Sequence, residues 1–306
     1  MTTDPLPPEL AARLDEVPCL APPRTVEELT GGLTNVNLKV TTASGCYVAR
    51  LSSQDGDLLS IDREAEYRNS VCAAETGVAP EVVAYRPGRG ILVVAWVEGR
   101  TFEPADLRSS ANLPRVAAAC RTLHRGPRFV NDFDMFEVQR GYLDIVQRRG
   151  FRLPDRYLDF QPQVERIAAA LGARPVPTVP CNNDLLAANF IDGGDRLWLI
   201  DYEYSGNGDP GFELGNIWSE SNLSLDQLEA LVTHYHGRPV PDQVARARLL
   251  GLMSKYGWTL WASIQDAVSD IDFDFWTWGM EKFDRAIEEF DGPDFEALLD
   301  QAAASG

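Results

Sequence analysis

Three side chains stand at a spacing that could carry a phosphoryl transfer: Asp184, Asn189 five residues later, and Asp201 twelve residues beyond that. A phosphotransferase needs one carboxylate near the accepting hydroxyl. It also needs an amide oxygen and a second carboxylate to hold Mg²⁺ against the phosphates. Asp184-Leu-Leu-Ala-Ala-Asn189 contains the first pair, and Leu197-Trp-Leu-Ile-Asp201-Tyr-Glu-Tyr contains the third group. Between them the chain reads apolar (Asn189-Phe-Ile), then Asp192-Gly-Gly-Asp195-Arg, then apolar again, which is strand, turn and strand. Such a hairpin returns Asp201 beside Asn189. Asp and Asn also cap turns, their commonest work, and Asp192-Gly-Gly-Asp195 alone reads as an ordinary loop. Both segments, in order and at this spacing, weigh against that plainer reading.

The elements that must position these residues follow from pattern. Alternation suggests strands over 36–40 and 47–51, joined at Ala43-Ser-Gly45 and preceded by Gly31-Gly-Leu-Thr-Asn35. That glycine-bearing segment can bring backbone amides to a phosphate, or can be a plain hairpin turn. Residues 61–76 lack Pro and Gly and stop at Gly77, a helix with a glycine cap. Two more strands, 81–85 and 90–97, flank the Arg86-Pro-Gly-Arg89 turn. After Glu98-Gly99 the pattern turns helical, over 104–109, 113–124, 138–149 and 157–171. The expected fold is therefore α+β and bilobal, in the protein-kinase-like arrangement. Residues 1–97 would form a small antiparallel-sheet lobe with one helix, and 98–306 a larger, mostly helical lobe. The Pro-rich start (Pro5, Pro7, Pro8, Pro18, Pro22, Pro23) reads as a loosely packed entry segment.

Composition narrows the function classes. With 306 residues, 44% hydrophobic and 24% charged, the chain is that of an ordinary globular protein. Its formal charge of −18 argues against a nucleic-acid partner, which basic patches would have to bind, and suits a cationic small molecule better. The start Met-Thr-Thr-Asp-Pro-Leu-Pro-Pro lacks a basic region followed by an apolar stretch, and no apolar run approaches ~18 residues, so neither export nor membrane insertion is expected. Five scattered cysteines (19, 46, 72, 120, 181), with no Cys-x-x-Cys pair, read as reduced thiols of a cytoplasmic protein. His234 and His236, without a nearby third ligand, read as part of a polar loop rather than a structural metal site.

At this point the residues resemble a known family, the choline/ethanolamine kinases within the aminoglycoside-phosphotransferase branch of the protein-kinase-like superfamily. The stretches that carry the resemblance are Pro180-Cys-Asn-Asn-Asp-Leu-Leu-Ala-Ala-Asn189, Ile200-Asp-Tyr-Glu-Tyr-Ser-Gly206 with Gly211-Phe-Glu-Leu-Gly-Asn216, and Trp258-Thr-Leu-Trp-Ala-Ser-Ile-Gln265 with Ile271-Asp-Phe273. The resemblance implies ATP and Mg²⁺, with Asp184 as the catalytic base, Asn189 and Asp201 as metal ligands, and Glu203 as an outer or second-metal contact. It also implies that Arg50 in Tyr47-Val-Ala-Arg50-Leu contacts the nucleotide phosphates, where protein kinases use Lys. Its guanidinium fork fits phosphate oxygens. Glu66 is favoured as the helix partner of Arg50, with Glu64 the alternative in the same Arg-Glu-Ala-Glu run. Gly32, Thr34 and Asn35 would belong to a phosphate-covering loop, and the backbone from Ala95 to Val97 to an adenine-binding hinge. One position departs from the family: Asn182 stands where it usually has a His that braces the metal-binding strand, a task for which an amide can still donate and accept.

The amine end is read from spacing as well as resemblance. Trp258, Trp261 and Gln265 fall at i, i+3 and i+7, one helix face on which two indoles can stand side by side. A buried aromatic stripe in a helical core is the competing reading. A quaternary ammonium has no N–H to donate, so it is recognised by aromatic faces and a nearby carboxylate. The resemblance points to Trp258, Trp261 and Trp278 as walls of that box and to Glu220 as the acid. Three indoles favour choline over ethanolamine, which would prefer more acceptors and a smaller box. The acidic run Asp270-Ile-Asp-Phe-Asp274 keeps a broader aminoglycoside-type acceptor open, and a non-catalytic choline- or nucleotide-binding protein is the alternative of another class. Oligomeric state is not expected to be legible.

Overall fold

The computed structural model describes residues 7–29, 35–52, 59 and 61–304. Its first part is a five-stranded antiparallel sheet built from β1 (Arg24–Leu29), β2 (Asn35–Thr42), β3 (Gly45–Ser52), β4 (Val82–Arg86) and β5 (Ile91–Ala95), in the order β1-β2-β3-β5-β4. Strand alternation turns Leu38, Val40, Ala49, Leu51, Ile91 and Val93 into one buried layer. Helix α2 (Arg63–Glu75) enters this part between β3 and β4. Asp62 caps it by accepting from the Glu64 and Ala65 amides, and Gly77, at φ +75°, leaves it in the left-handed conformation that a side chain would resist.

Two expectations change here. β1 was not anticipated, and the proline-rich start is not loosely packed from Pro7 onward, Pro5 lying outside the described residues. Helix α1 (Pro8–Asp15) and a 3₁₀ turn (Pro18–Leu20) dock on the sheet, with Leu14, Val17 and Leu20 at 0% exposure. Proline costs nothing at the first turn of a helix, because its missing N–H would be unpaired there anyway. Arg24 ties the segment down by donating to Asp15 and to the Ala11 and Leu20 carbonyls. Among the described residues, the sheet is thus served by two helices rather than one.

The remaining chain is mostly helical: α3 (Pro104–Leu107), α4 (Leu113–His124), α5 (Met135–Arg149), α6 (Gln161–Ala173), α7 (Pro210–Ser221), α8 (Leu225–His236), α9 (Pro241–Val268), α10 (Phe275–Phe290) and α11 (Phe295–Ala303). β6 (Arg100–Thr101), β8 (Phe190–Asp192) and β9 (Leu197–Leu199) form a small sheet, and β7 (Val179–Cys181) pairs with β10 (Gly206–Gly208). α9 is the spine, buried almost continuously from Ala245 to Gln265. It crosses α7 where Gly215 meets Gly251; a Cβ on Gly215 would lie 2.6 Å from the Gly251 nitrogen, so only glycine allows that approach. His234 and His236 lie in the last turn of α8 rather than in a loop. Among the described residues, no helix is long and apolar enough to cross a membrane.

Candidate active site

The loop after β7 is held by side chains from beneath. Glu213, in the first turn of α7, is fully buried and accepts from the backbone N–H groups of Asn182 (2.9 Å) and Asn183 (2.7 Å). His124 Nε2 lies 3.5 Å from the same carboxylate, and Cys181 Sγ lies 3.7 Å from that nitrogen. Asn216, one turn further along α7, accepts from the Leu185 N–H at 2.8 Å and donates to Ser254 Oγ. Asn183 takes φ +68°, which asparagine tolerates better than most residues. The backbone on either side of Asp184 is therefore fixed from α7.

Asn182 ties that loop to the hairpin. Its Nδ2 donates to the carbonyls of Ile200 (3.1 Å) and Asp201 (2.8 Å), while its Oδ1 accepts from the Asp184 N–H. Asp201 adopts φ +62°, and the Asn182 bonds hold it there. β8 and β9 pair with Phe190 opposite Leu199, and the Ile200 N–H reaches the Asn189 carbonyl at 3.0 Å, so the hairpin brings Asp201 back beside Asn189. Asn189 spends its amide nitrogen on the Asp184 carbonyl at 2.7 Å, which fixes the rotamer that presents its oxygen.

Electrostatics at this floor are dominated by burial and by carboxylates. Burial pushes the Asp184 carboxyl well above its ordinary range; Asp201, Glu220 and Glu203 push the same way, and Lys282 opposes them. Asp201 is raised to about 6, chiefly by burial, with Arg50 pulling it down and Glu203 and Glu66 pushing it up. Hard oxygen donors crowded with negative charge are the set that Mg²⁺ favours, so the Asn189 amide oxygen and the Asp201 carboxylate fit that ion.

Arg50 on β3 gathers the acids around the floor. Its guanidinium meets Asp201 Oδ1 (2.8 Å), Glu203 Oε2 (2.8 Å) and Glu66 Oε1 (2.9 Å), partners drawn from α2 and from the segment after β9. Glu66 is buried and Glu64 exposed, so the structure brings the former to Arg50. Arg63 adds a second cation, bonding Glu66 (2.8 Å) and Glu203 (3.0 Å). Asn35 joins the same group, donating to Glu203 at 2.9 Å and accepting from Arg63. Gly32 and Thr34 lie outside the described residues.

Arg50, Asn189 and Asp201 line a cavity of about 440 Å³ between the five-stranded sheet and the hairpin. Val48, Leu92, Ile191 and Ile200 give it apolar walls, and Ala95 and Val97 line it as well. The Ala95 and Trp96 N–H groups are spent on the Glu81 and Cys46 carbonyls. The Val97 N–H has no such partner among the described residues, which leaves it a lining donor open to a ligand.

The aromatic face differs from the spacing argument in one respect. Trp258 and Trp261 are both buried on α9, but they are joined through Tyr204 rather than standing against one another. The Trp261 Nε1–H donates to the Tyr204 hydroxyl at 2.8 Å, and the Trp258 ring meets the Tyr204 ring edge-on at 4.9 Å. Trp278 on α10 packs against Trp261 at 5.5 Å, and Gln265 is buried further along α9. Glu220, near the end of α7, is paired with Lys282 of α10 at 2.6 and 2.8 Å, and the Lys282 nitrogen lies 4.0 Å from the Trp278 ring centre. Asp270, Asp272 and Asp274 are exposed, and Asp274 caps α10, so the acidic run serves a turn rather than a cleft. Sequence reasoning assigned no role to Tyr204, Glu213 or Lys282. Glu213 carries a detectable signal, an acid in the first turn of the helix that follows the hairpin. Lys282 carries none, since its meaning depends on a partner 62 positions away.

Known proteins share this architecture. Residues 25–249 match the model of the phosphotransferase enzyme family. A choline/ethanolamine kinase family protein from Mesorhizobium loti is 31% identical, with a TM-score of 0.85 over 96% of this chain and 98% of that one. A probable ethanolamine kinase of Arabidopsis thaliana is 25% identical, the match covering 82% of this chain and 75% of that protein. The choline kinase LicA from Streptococcus pneumoniae has the same fold at 23% identity, with a TM-score of 0.74 over 87% of this chain and 93% of that one. With the family model matched across most of its length, and with the Mesorhizobium likeness running almost end to end, the chain belongs to the phosphotransferase enzyme family, in its choline/ethanolamine kinase branch, and is a phosphotransferase that acts on an alcohol group.

Proposed function

We propose that the protein transfers the γ-phosphoryl group of ATP to the hydroxyl of an amino alcohol, with choline ahead of ethanolamine as the acceptor. The observation that carries this reading is that Asn189, its amide held on the Asp184 carbonyl, lines with Asp201 and Arg50 a cavity of about 440 Å³ whose lining also offers the Val97 N–H. In this reading, residues 1–97 hold the nucleotide and 98–306 supply the catalytic floor and the acceptor site. Val97 and the backbone at Ala95 meet the adenine edge, and Arg50, positioned by Glu66, meets the phosphates. Gly32, Thr34 and Asn35 would cover those phosphates from above. Asn189 and Asp201 would hold Mg²⁺, which when bound offsets phosphate charge. Asp184 orients the acceptor hydroxyl and takes its proton. Positioning and charge stabilisation supply most of the acceleration in such transfers.

Trp258, Trp261 and Trp278, with Glu220 and Gln265, form the acceptor side, and three indoles favour a methylated ammonium. The names borne by the Arabidopsis and Streptococcus relatives support both acceptors without separating them. The test is a coupled ADP-release assay with Mg²⁺-ATP against ethanolamine, its mono- and dimethyl derivatives, choline and an aminoglycoside. A rate that rises with methylation is expected. Equal rates with and without each acceptor would contradict the proposal.

A further inference from the structure

The acid and the ring face at the end of α7 and the start of α10 already hold an ammonium, and it belongs to the chain itself. Lys282 follows Trp278 at i+4 on α10, so the two side chains share a helix face. Its Nζ donates to both Glu220 oxygens, at 2.8 and 2.6 Å, and lies 4.0 Å from the Trp278 ring centre; the residue is 5% exposed. A carboxylate on one side and an indole face on the other are the chemistry that receives an ammonium, and this corner demonstrates it. The corner is linked to the segment after Asp201 by Trp261, which packs on Trp278 and donates to the Tyr204 hydroxyl, and the Asp184 carboxyl feels the charges of both Glu220 and Lys282. Arg285, one turn beyond Lys282, donates to the Ser219 carbonyl, so a second cation backs the first.

We propose that Lys282 is a tethered competitor of the acceptor's ammonium, occupying the corner of Glu220 and Trp278 until a cationic alcohol displaces it. The inference rests on the amino-alcohol reading above. Two unit positive charges a few ångströms apart in a partly buried site repel strongly enough to weaken binding about tenfold or more, so acceptor and lysine cannot share Glu220 at full strength. Lys282 then sets how much affinity a cation gains over a neutral alcohol of the same shape. A neutral alcohol cannot replace the lysine at Glu220, and so gains nothing from the lysine's removal.

The test compares wild type with Lys282→Met, which keeps most of the volume and removes the charge, and with Lys282→Gln, which keeps a hydrogen-bond donor for Glu220 so that the corner stays filled if the methionine variant folds poorly. Dissociation constants are measured by calorimetry for choline, ethanolamine and 3,3-dimethyl-1-butanol, the neutral carbon analogue of choline, with Mg²⁺ and a non-hydrolysable ATP analogue present. The expected result is about tenfold tighter choline binding in Lys282→Met, a smaller gain in Lys282→Gln, and no change for the neutral alcohol. Choline should also raise the melting temperature of Lys282→Met more than that of wild type. Unchanged or weaker choline binding in both variants, alongside clear binding by wild type, would overturn the inference alone and leave Lys282 as a structural counter-ion of Glu220. No amine binding by any of the three proteins would overturn the amino-alcohol reading and the inference with it.

Discussion

The cleft at Arg50 and the corner at Lys282 both bury a cation against carboxylate, but they are balanced differently. At Arg50, two guanidiniums (Arg50 and Arg63) face three carboxylates (Glu66, Asp201 and Glu203), and the group opens onto a cavity of about 440 Å³. At Lys282, one ammonium meets one carboxylate, and the third side is closed by Trp278. The first arrangement has one more carboxylate than guanidinium and room beside it. The second is matched one to one. On the readings proposed above, a ligand adds to the first site, whereas at the second it replaces the lysine.

The largest expected effect lies at the floor between the two regions. Asp184→Asn should lower kcat by about 10²–10⁴-fold while leaving the melting temperature near that of wild type, because it removes the proton acceptor without removing volume. An active Asp184→Asn enzyme in a steady-state assay would break the assignment of that carboxylate. Arg50→Met comes next. It leaves Asp201 without its guanidinium and Glu66 and Glu203 with Arg63 as theirs, and breaking buried pairs in this way costs roughly 3–5 kcal/mol, which denaturant unfolding would read directly. Arg50→Lys should recover part of that stability but still raise KM for ATP, since an ammonium cannot fork to three carboxylates. If Arg50→Met were as stable as wild type, the cluster would not be the junction described.

Smaller effects sharpen the contrast on the acceptor side. Glu213→Gln offers only one acceptor oxygen where two backbone amides need one each, so it should loosen the Asp184 loop and lower kcat about tenfold, with KM for ATP little changed. A rise in KM for ATP alone would show that the loop was not what moved. Trp261→Phe keeps an aromatic ring but loses the indole N–H bond to the Tyr204 hydroxyl and part of the buried volume. At least about 1 kcal/mol of stability should go with it, and KM for the acceptor should rise several-fold while that for ATP stays. Equal shifts in both constants would make Trp261 a core residue and nothing more.

What could be read from the chain alone follows the range of each interaction. The hairpin from Asn189 to Asp201 was legible because its strands, turn and register are all local, and the helix ending at Gly77 because a glycine stop is a single-residue signal. The α+β bilobal arrangement followed from the change of pattern near residue 97. The docked start of the chain was misread because six prolines obscured the apolar spacing of Leu10, Leu14, Val17 and Leu20, although Pro8 and Pro18 sit where helices accept proline. Trp258 and Trp261 were placed on one face by helical spacing, but the Tyr204 ring between them arrives from another element. The pairing of Lys282 with Glu220 joins α10 to α7, and no local periodicity encodes which lysine meets which acid. Charge pairs across a fold are set by helix packing, here by the α7–α9 crossing at Gly215 and Gly251 and by α10 lying along α9.

The central claim is that the floor at Asp184, Asn189 and Asp201 transfers phosphate to an amino alcohol seated on the aromatic side. Phosphorus NMR of wild type with Mg²⁺-ATP and choline tests it most directly. The account predicts a growing phosphomonoester resonance, matched mole for mole by ADP and absent with Asp201→Ala. ADP appearing with inorganic phosphate alone, or a phosphomonoester formed as fast by Asp201→Ala as by wild type, would contradict it.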